Sequence, residues 1–183
     1  IIPLLLTAHS SQGLEFRHQV GRPGWYSALQ APGFVVLAGV SGVGLLLVIA
    51  GVLRGYLKGE HRLGTDVFRW LGVFLLVLIL AYLYLVIVEL LTGSYTGHHH
   101  EQQLTSLLLT GAYAPVFWGS LFLLALPAGL LLLQAFTGRW NIPALVACGV
   151  MVNLAAIGKR YLIVAPSQTH GPLLPYGPGF YIP

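Results

Sequence analysis

Four stretches of this chain are too long, too apolar and too poor in charge to belong anywhere but in a lipid bilayer. They run from Phe34 to Leu53, Val67 to Leu91, Tyr113 to Phe136 and Ile142 to Pro166. A helix needs ~20 residues, at ~1.5 Å each, to cross ~30 Å of hydrocarbon. Every stretch meets that length. Lipid offers the backbone no hydrogen bonds, so segments of this kind are helices. Alternating segments of ~10 residues, the mark of a membrane barrel, do not occur. The expected fold is all-α: a polytopic transmembrane bundle with four complete spans plus the end of another, Ile1 to Ala8. Residues 1–183 are expected to form a single integral membrane domain. The chain opens at Ile1 without Met and closes on Tyr181-Ile182-Pro183, so it reads as an internal portion of a longer polypeptide.

Composition excludes several function classes. The chain is 56% hydrophobic and 8% charged, against about 25% charged residues in a soluble domain. It cannot cover a water-facing surface. Nine Lys+Arg against five Asp+Glu give a formal charge of +4. No basic cluster with interleaved aromatics appears, so nucleic acid is not an expected partner. The single Cys148 excludes an internal disulfide, a CxxC pair and a cysteine-ligated cluster within this chain. The four spans contain no His, so a haem held by axial histidines on facing helices is not expected either. His98-His99-His100 read as loop histidines, because consecutive residues converge on a metal less readily than spaced ones. One of them, His98, can still relay a proton near neutral pH.

The connections alternate sides. Residues 9–32, residues 94–112 and the tail after Pro166 share one face, X. Residues 54–66 and 137–141 share the other, Y. Arg54, Lys58, Arg62, Arg69 and Arg139 lie near Y. Arg17 and Arg22 lie near X, with Lys159 and Arg160 inside a helix end. The positive-inside rule then puts Y in the cytoplasm and X outside. Within the first span, Ala38 and Gly42 stand four apart and read as a helix-packing pair. Pro127 in mid-span is expected to kink its helix.

Charges inside the spans draw the functional reading. Lys159 and Arg160 lie side by side at membrane depth, and Glu89 lies near the X end of its own span. An intramembrane ionisable residue marks a functional site by default, because the bilayer makes it costly. Neighbouring helical residues point ~100° apart, so the two cations cannot both face one pocket. Two readings stay open for them: snorkelling to the interface, or lining a polar pocket with Glu89 as partner. Glu89 can be an inert interfacial carboxylate, or a group balanced between desolvation and a nearby cation that exchanges protons. His9, Glu89, Lys159, Arg160 and the His98 loop all fall on the X side.

Several stretches together resemble the NrfD/PsrC family, the membrane subunits of polysulfide-reductase-like and alternative complex III enzymes. They are His9-Ser10, Val20-Gly21-Arg22-Pro23-Gly24-Trp25-Tyr26-Ser27, Ala31-Pro32-Gly33-Phe34-Val35 leading to Ser41-Gly42, and Gly111-Ala112-Tyr113-Ala114-Pro115-Val116-Phe117-Trp118. The most specific is Lys159-Arg160-Tyr161-Leu162-Ile163-Val164-Ala165-Pro166-Ser167, with Leu173-Leu174-Pro175-Tyr176 and Tyr181-Ile182-Pro183 downstream. The resemblance implies a helical subunit of the bacterial inner (plasma) membrane with further spans beyond this stretch. It implies a quinone, menaquinone or ubiquinone, as substrate near the outer face, and no haem or cluster in the chain itself. Implied partners are an iron–sulfur subunit, molybdopterin-type or cytochrome c subunits of the same complex, and membrane lipid. By motif position it implies quinone contact for His9, Arg22, Trp25 and Tyr161. His9, Lys159 and Arg160 join Glu89 as candidates for the chemistry, and Glu89 and His98 for a proton path. Two other functions stay open: a proton-translocating, channel-like subunit, and an inert membrane anchor of a redox complex. Clustering of the polar groups on one side fits the first only as a half-channel, and the second has no use for buried ionisable residues.

Overall fold

The computed structural model describes residues 7–8, 10–11, 29–57, 63–95, 105–106 and 108–169. Four long helices dominate them: α1, Gln30–Tyr56; α2, Thr65–Tyr95; α3, Ala114–Thr137; and α4, Ile142–Thr169. Each is long and apolar enough to cross a membrane. Among the described residues there is no strand. The expected all-α polytopic bundle is therefore what forms.

The helices outrun the apolar stretches that define them. α2 continues a turn past Leu91 to Tyr95. The Thr92 and Ser94 hydroxyls donate to the Val88 and Leu90 carbonyls at 2.8 and 2.7 Å, which satisfies both hydroxyls within the helix itself. α3 opens with a proline in its first turn and closes on Gly138 at φ 68°. Proline has no N–H to leave orphaned there, and glycine tolerates the left-handed cap. The backbone N–H of Asn141 donates to Gln134 Oε1 at 3.1 Å, tying the short turn to the buried end of α3. α3 runs as one element through Pro127, which is fully buried.

Contacts between helices fix their directions. Gly44 faces Val152 and Gly149, and Gly51 faces Val146, so α1 and α4 are antiparallel. Gly39 meets Leu78, and Arg54 lies over the Phe68 ring at 5.7 Å, so α1 and α2 are antiparallel. Gly158 meets Ser120 and Val116, and the short turn from Thr137 to Ile142 joins the opposite ends of the two helices, so α3 and α4 are antiparallel as well. α4 makes the most extensive contacts, with α1 and α3. α2 closes the ring against α1 and α3, and α2 and α4 lie across the diagonal.

One spacing runs through all four helices. Buried positions on α2 fall at Phe68, Gly72, Leu75, Ile79, Tyr82 and Val86. On α3 they fall at Phe117, Ser120, Leu124, Pro127, Leu131 and Gln134. On α4 they fall at Leu145, Cys148, Val152, Ala155 and Leu162, and on α1 at Leu37, Val40, Gly44 and Leu47. Alternating steps of three and four are the seam of left-handed helix packing.

Small residues on that seam let backbones touch. A β-carbon at Gly149 would stand 2.6 Å from the Gly44 carbonyl oxygen. Among the described residues, the α1–α4 contact does not run through the expected packing pair, Ala38 with Gly42. Gly42 is exposed, with nothing within 4 Å of a β-carbon there. The seam runs through Gly44 instead, two positions on and about 200° around the helix. At the same depth Ser41 Oγ lies 2.9 Å from Asn153 Oδ1, donating to it, and Asn153 Nδ2 donates to the Gly149 carbonyl at 2.8 Å.

Gly149→Leu is expected to destabilise the protein by about 1–3 kcal/mol, the cost of forcing volume into a packed seam. Gly42→Ala is expected to be nearly silent. Thermal unfolding in detergent separates them.

Candidate functional site

The seams of α2 and α4 each deliver one ionisable residue to the interior. Continuing the α2 steps past Val86 by three gives Glu89. On α4 the step from Ala155 by four gives Lys159, and three more gives Leu162. Lys159 Nζ donates to Glu89 Oε2 at 3.1 Å. Their side chains are 15% and 35% exposed, respectively. Lys159 lies about 26 Å along α4 from its start, at ~1.5 Å per residue, toward the X end of the bundle. The pair spans the diagonal between two helices that otherwise touch little.

Gly158 explains how the lysine is held. A β-carbon there would collide with the Ser120 hydroxyl. That hydroxyl donates to the Val116 carbonyl at 2.7 Å. α3 and α4 therefore lie in close contact immediately before Lys159, and the ammonium is aimed across the bundle. The X-side end is tied down further. Trp118 Nε1 donates to the Leu109 carbonyl at 3.0 Å. Thr105 approaches Gly93 so closely that a β-carbon would stand 2.7 Å from its hydroxyl.

A cleft opens beside the ion pair. Leu29, Gly33, Phe34 and Leu37 of the α1 end wall it, with Tyr82, Val86 and Glu89 of α2 and Lys159 of α4. It gives about 20 Å³ of room to the centre of a water molecule. A single water needs ~10–15 Å³ by that measure, so the cleft is water-sized and much smaller than a quinone ring. Tyr82 lies one heptad before Glu89 on the same face, 3% exposed. It stands within electrostatic reach of both Glu89 and Lys159.

Arg160 and Tyr161 point elsewhere. Both are exposed, Tyr161 at 52%. They sit ~100° and ~200° around the helix from Lys159. The two adjacent cations thus divide: Lys159 faces inward to a carboxylate and Arg160 faces outward. His9, Arg22, Trp25 and His98 lie outside the described residues.

The sequence also matches known proteins. The profile of NrfD, described as polysulphide reductase, NrfD, matches residues 1–171. The chain belongs to the NrfD family. A selenate reductase subunit of Mesobacillus selenatarsenatis is 27% identical over 166 residues, 91% of this chain and 38% of that protein. A putative dimethyl sulfoxide reductase membrane subunit of Halobacterium salinarum is 35% identical over 112 residues, 60% of this chain and 25% of that protein. The chain thus spans less than two-fifths of the length of the curated relatives it matches.

Within this NrfD-family chain, sequence reading reached both members of the ion pair and missed Tyr82. The signal for Tyr82 was available: it stands seven residues before Glu89, on the same helix face. Asn153 was missed as well, although it lies six residues before Lys159 in an otherwise apolar run.

A double-mutant cycle with Glu89→Gln and Lys159→Met is expected to give a coupling of about 0.5–3 kcal/mol. Each single change strands a charge that the other balances. Unfolding in detergent, read on both single variants and the double, measures it.

Proposed function

We propose that this chain belongs to the quinone-reactive membrane subunit of a respiratory oxidoreductase complex. The observation that carries the reading is the Lys159–Glu89 pair, set on two buried seams beside a cleft at one end of the bundle. A bilayer does not retain such a pair cheaply. The relatives' names, a selenate reductase subunit and a putative dimethyl sulfoxide reductase membrane subunit, support membership of a reductase complex.

A quinol reaches the X face from lipid, which the distribution of Lys and Arg makes the outer face of the bacterial plasma membrane. Its ring lies at the mouth of the cleft, not within it. Leu29 on the cleft wall stands two residues after Ser27, the end of the motif that holds Arg22 and Trp25. Those two residues, with His9, hold the ring, while Tyr161, the other expected ring contact, lies on the far side of α4 from Lys159. Lys159, fixed by Glu89, stabilises negative charge developing on a ring oxygen, as a preorganised charge in a dry site does. Arg160 adds to the same field from the outer side of α4. Two electrons pass to an iron–sulfur partner docked on that face, which in turn serves a molybdopterin-type or cytochrome c subunit. The two protons pass to His9 or Glu89 and leave by way of His98. Quinone reduction runs the same steps backwards.

In the assembled complex, Lys159→Met is expected to lower quinone-dependent electron transfer by roughly 10²-fold, the scale set by removing one preorganised stabilising group. Arg160→Met is expected to lower it less. Full turnover by Lys159→Met in an intact complex would remove the site. Electron transfer to the partner from an artificial donor serves as the control for assembly.

A further inference from the structure

We propose that the cleft between α1, α2 and α4 is a one-water site, and that Tyr82 is the positioning residue that holds the water against Glu89. The inference rests on the quinone reading for its consequence, but not for the site itself.

Hydrogen-bond accounting carries it. A carboxylate offers about four acceptor positions and an ammonium three donors. The Lys159–Glu89 contact engages one of each. The remaining capacity borders a space of about 20 Å³. Tyr82 lines the same space. Every fully buried side-chain nitrogen or oxygen among the described residues has a hydrogen-bond partner. Tyr82 is 3% exposed and donates to none of the described residues. Its hydroxyl therefore opens onto accessible space, and the cleft is the space that it lines.

A buried water requires ~10–15 Å³ and two to four polar partners. This cleft supplies the volume and three partners: the Tyr82 hydroxyl, the Glu89 carboxylate and the Lys159 ammonium. Among the described residues its remaining walls are apolar. Leu29, Gly33, Phe34 and Leu37 bring no titratable group from α1, and α3 contributes no wall. Nothing else among the described residues competes for the water.

The consequence is a short proton step. Glu89 is reached from the cleft mouth through one water. A proton taken up by the water on one side is matched by one passed to the carboxylate on the other, so the water is regenerated. Tyr82 sets the water's orientation and does not touch the quinone.

Two variants test this in the purified complex containing the full-length subunit. Tyr82→Phe removes only the hydroxyl. Gly33→Leu adds volume at the cleft wall and leaves the Tyr82 hydroxyl in place, and the first added carbon has room, since a β-carbon at Gly33 meets nothing within 4 Å. Infrared difference spectra across a pH step are expected to show, in the unaltered complex, a water O–H stretch that moves on exchange into H2-18O. Both variants are expected to lose it. Quinone turnover by Tyr82→Phe is expected to fall about fivefold, the size of one lost hydrogen bond, with the pH–rate profile displaced. A retained water band, or an unmoved profile in Tyr82→Phe, overturns the proposal. The two readings fail separately. If Lys159→Met leaves turnover unchanged, the quinone reading falls, and the water band still decides this inference. If Lys159→Met lowers turnover while Tyr82→Phe keeps band and profile, only this inference falls.

Discussion

The backbone contact between α4 and its neighbours sets everything else in this bundle. In lipid no hydrophobic drive brings apolar helices together, so association depends on close packing and interhelical hydrogen bonds. α4 supplies both. Gly149 lets it meet the Gly44 carbonyl, and Gly158 lets it meet Ser120. Between these two contacts, Asn153 accepts from Ser41. The helix is thereby fixed against α1 and α3 at separate depths. Its rotation is no longer free, and with rotation fixed, the direction of every later residue follows.

Lys159 inherits its direction from that fixing, one residue after Gly158. A charged side chain at the centre of a span costs ~2.5–3.5 kcal/mol on insertion scales. The cost falls when the group can reach water or a partner of opposite sign. Lys159 takes the partner and Arg160 takes the exterior. The choice of residue suits each place. A compact ammonium on a flexible stem reaches across the bundle diagonal to a carboxylate. A guanidinium is planar, permanently charged and more weakly hydrated, so it tolerates an exposed position near the membrane boundary. Glu89, more exposed than its partner, keeps contact with the X face.

Sequence made the helices legible because lipid leaves the backbone one solution for an apolar run of this length. It also made the end of the bundle that holds the polar groups legible, since alternate crossing assigns every loop to a side. Rotation was not legible. These helices are apolar all round, so no polar face betrays the buried one. Ala38 and Gly42 show the difficulty: their spacing suits close packing, yet Gly42 does not face α4. Only contact with α4 reveals that Gly44 lies on the seam and Gly42 off it. For the same reason Glu89 could be named as a partner for the adjacent cations, but not which of the two it meets. Tyr82 went unnoticed because a tyrosine in an aromatic-rich span draws no attention until the seam is known. Most of the expected ring contacts, His9, Arg22 and Trp25, fall outside the described residues, so the site stands on α2 and α4.

Two polar clusters among the described residues join helices of this bundle, and their hydrogen-bond accounts differ. At mid-depth, Asn153 accepts from Ser41 and donates to the Gly149 carbonyl. Both its oxygen and its nitrogen are engaged within the protein, and Gly44 packs closely against it. Such a pair joins helices and leaves little room beside it for anything else. Near the X end the account stays open. Glu89 and Lys159 use one contact between them, and Tyr82 uses none with the described residues. A purely structural polar cluster in lipid gains by closing its account, because unsatisfied groups are costly there. One that keeps spare donors and acceptors beside an accessible space carries that cost for a reason outside the fold. Unspent capacity, more than the presence of charge, therefore separates the ion pair from the Ser41–Asn153 joint as the place where we propose that this chain meets a substrate or a proton.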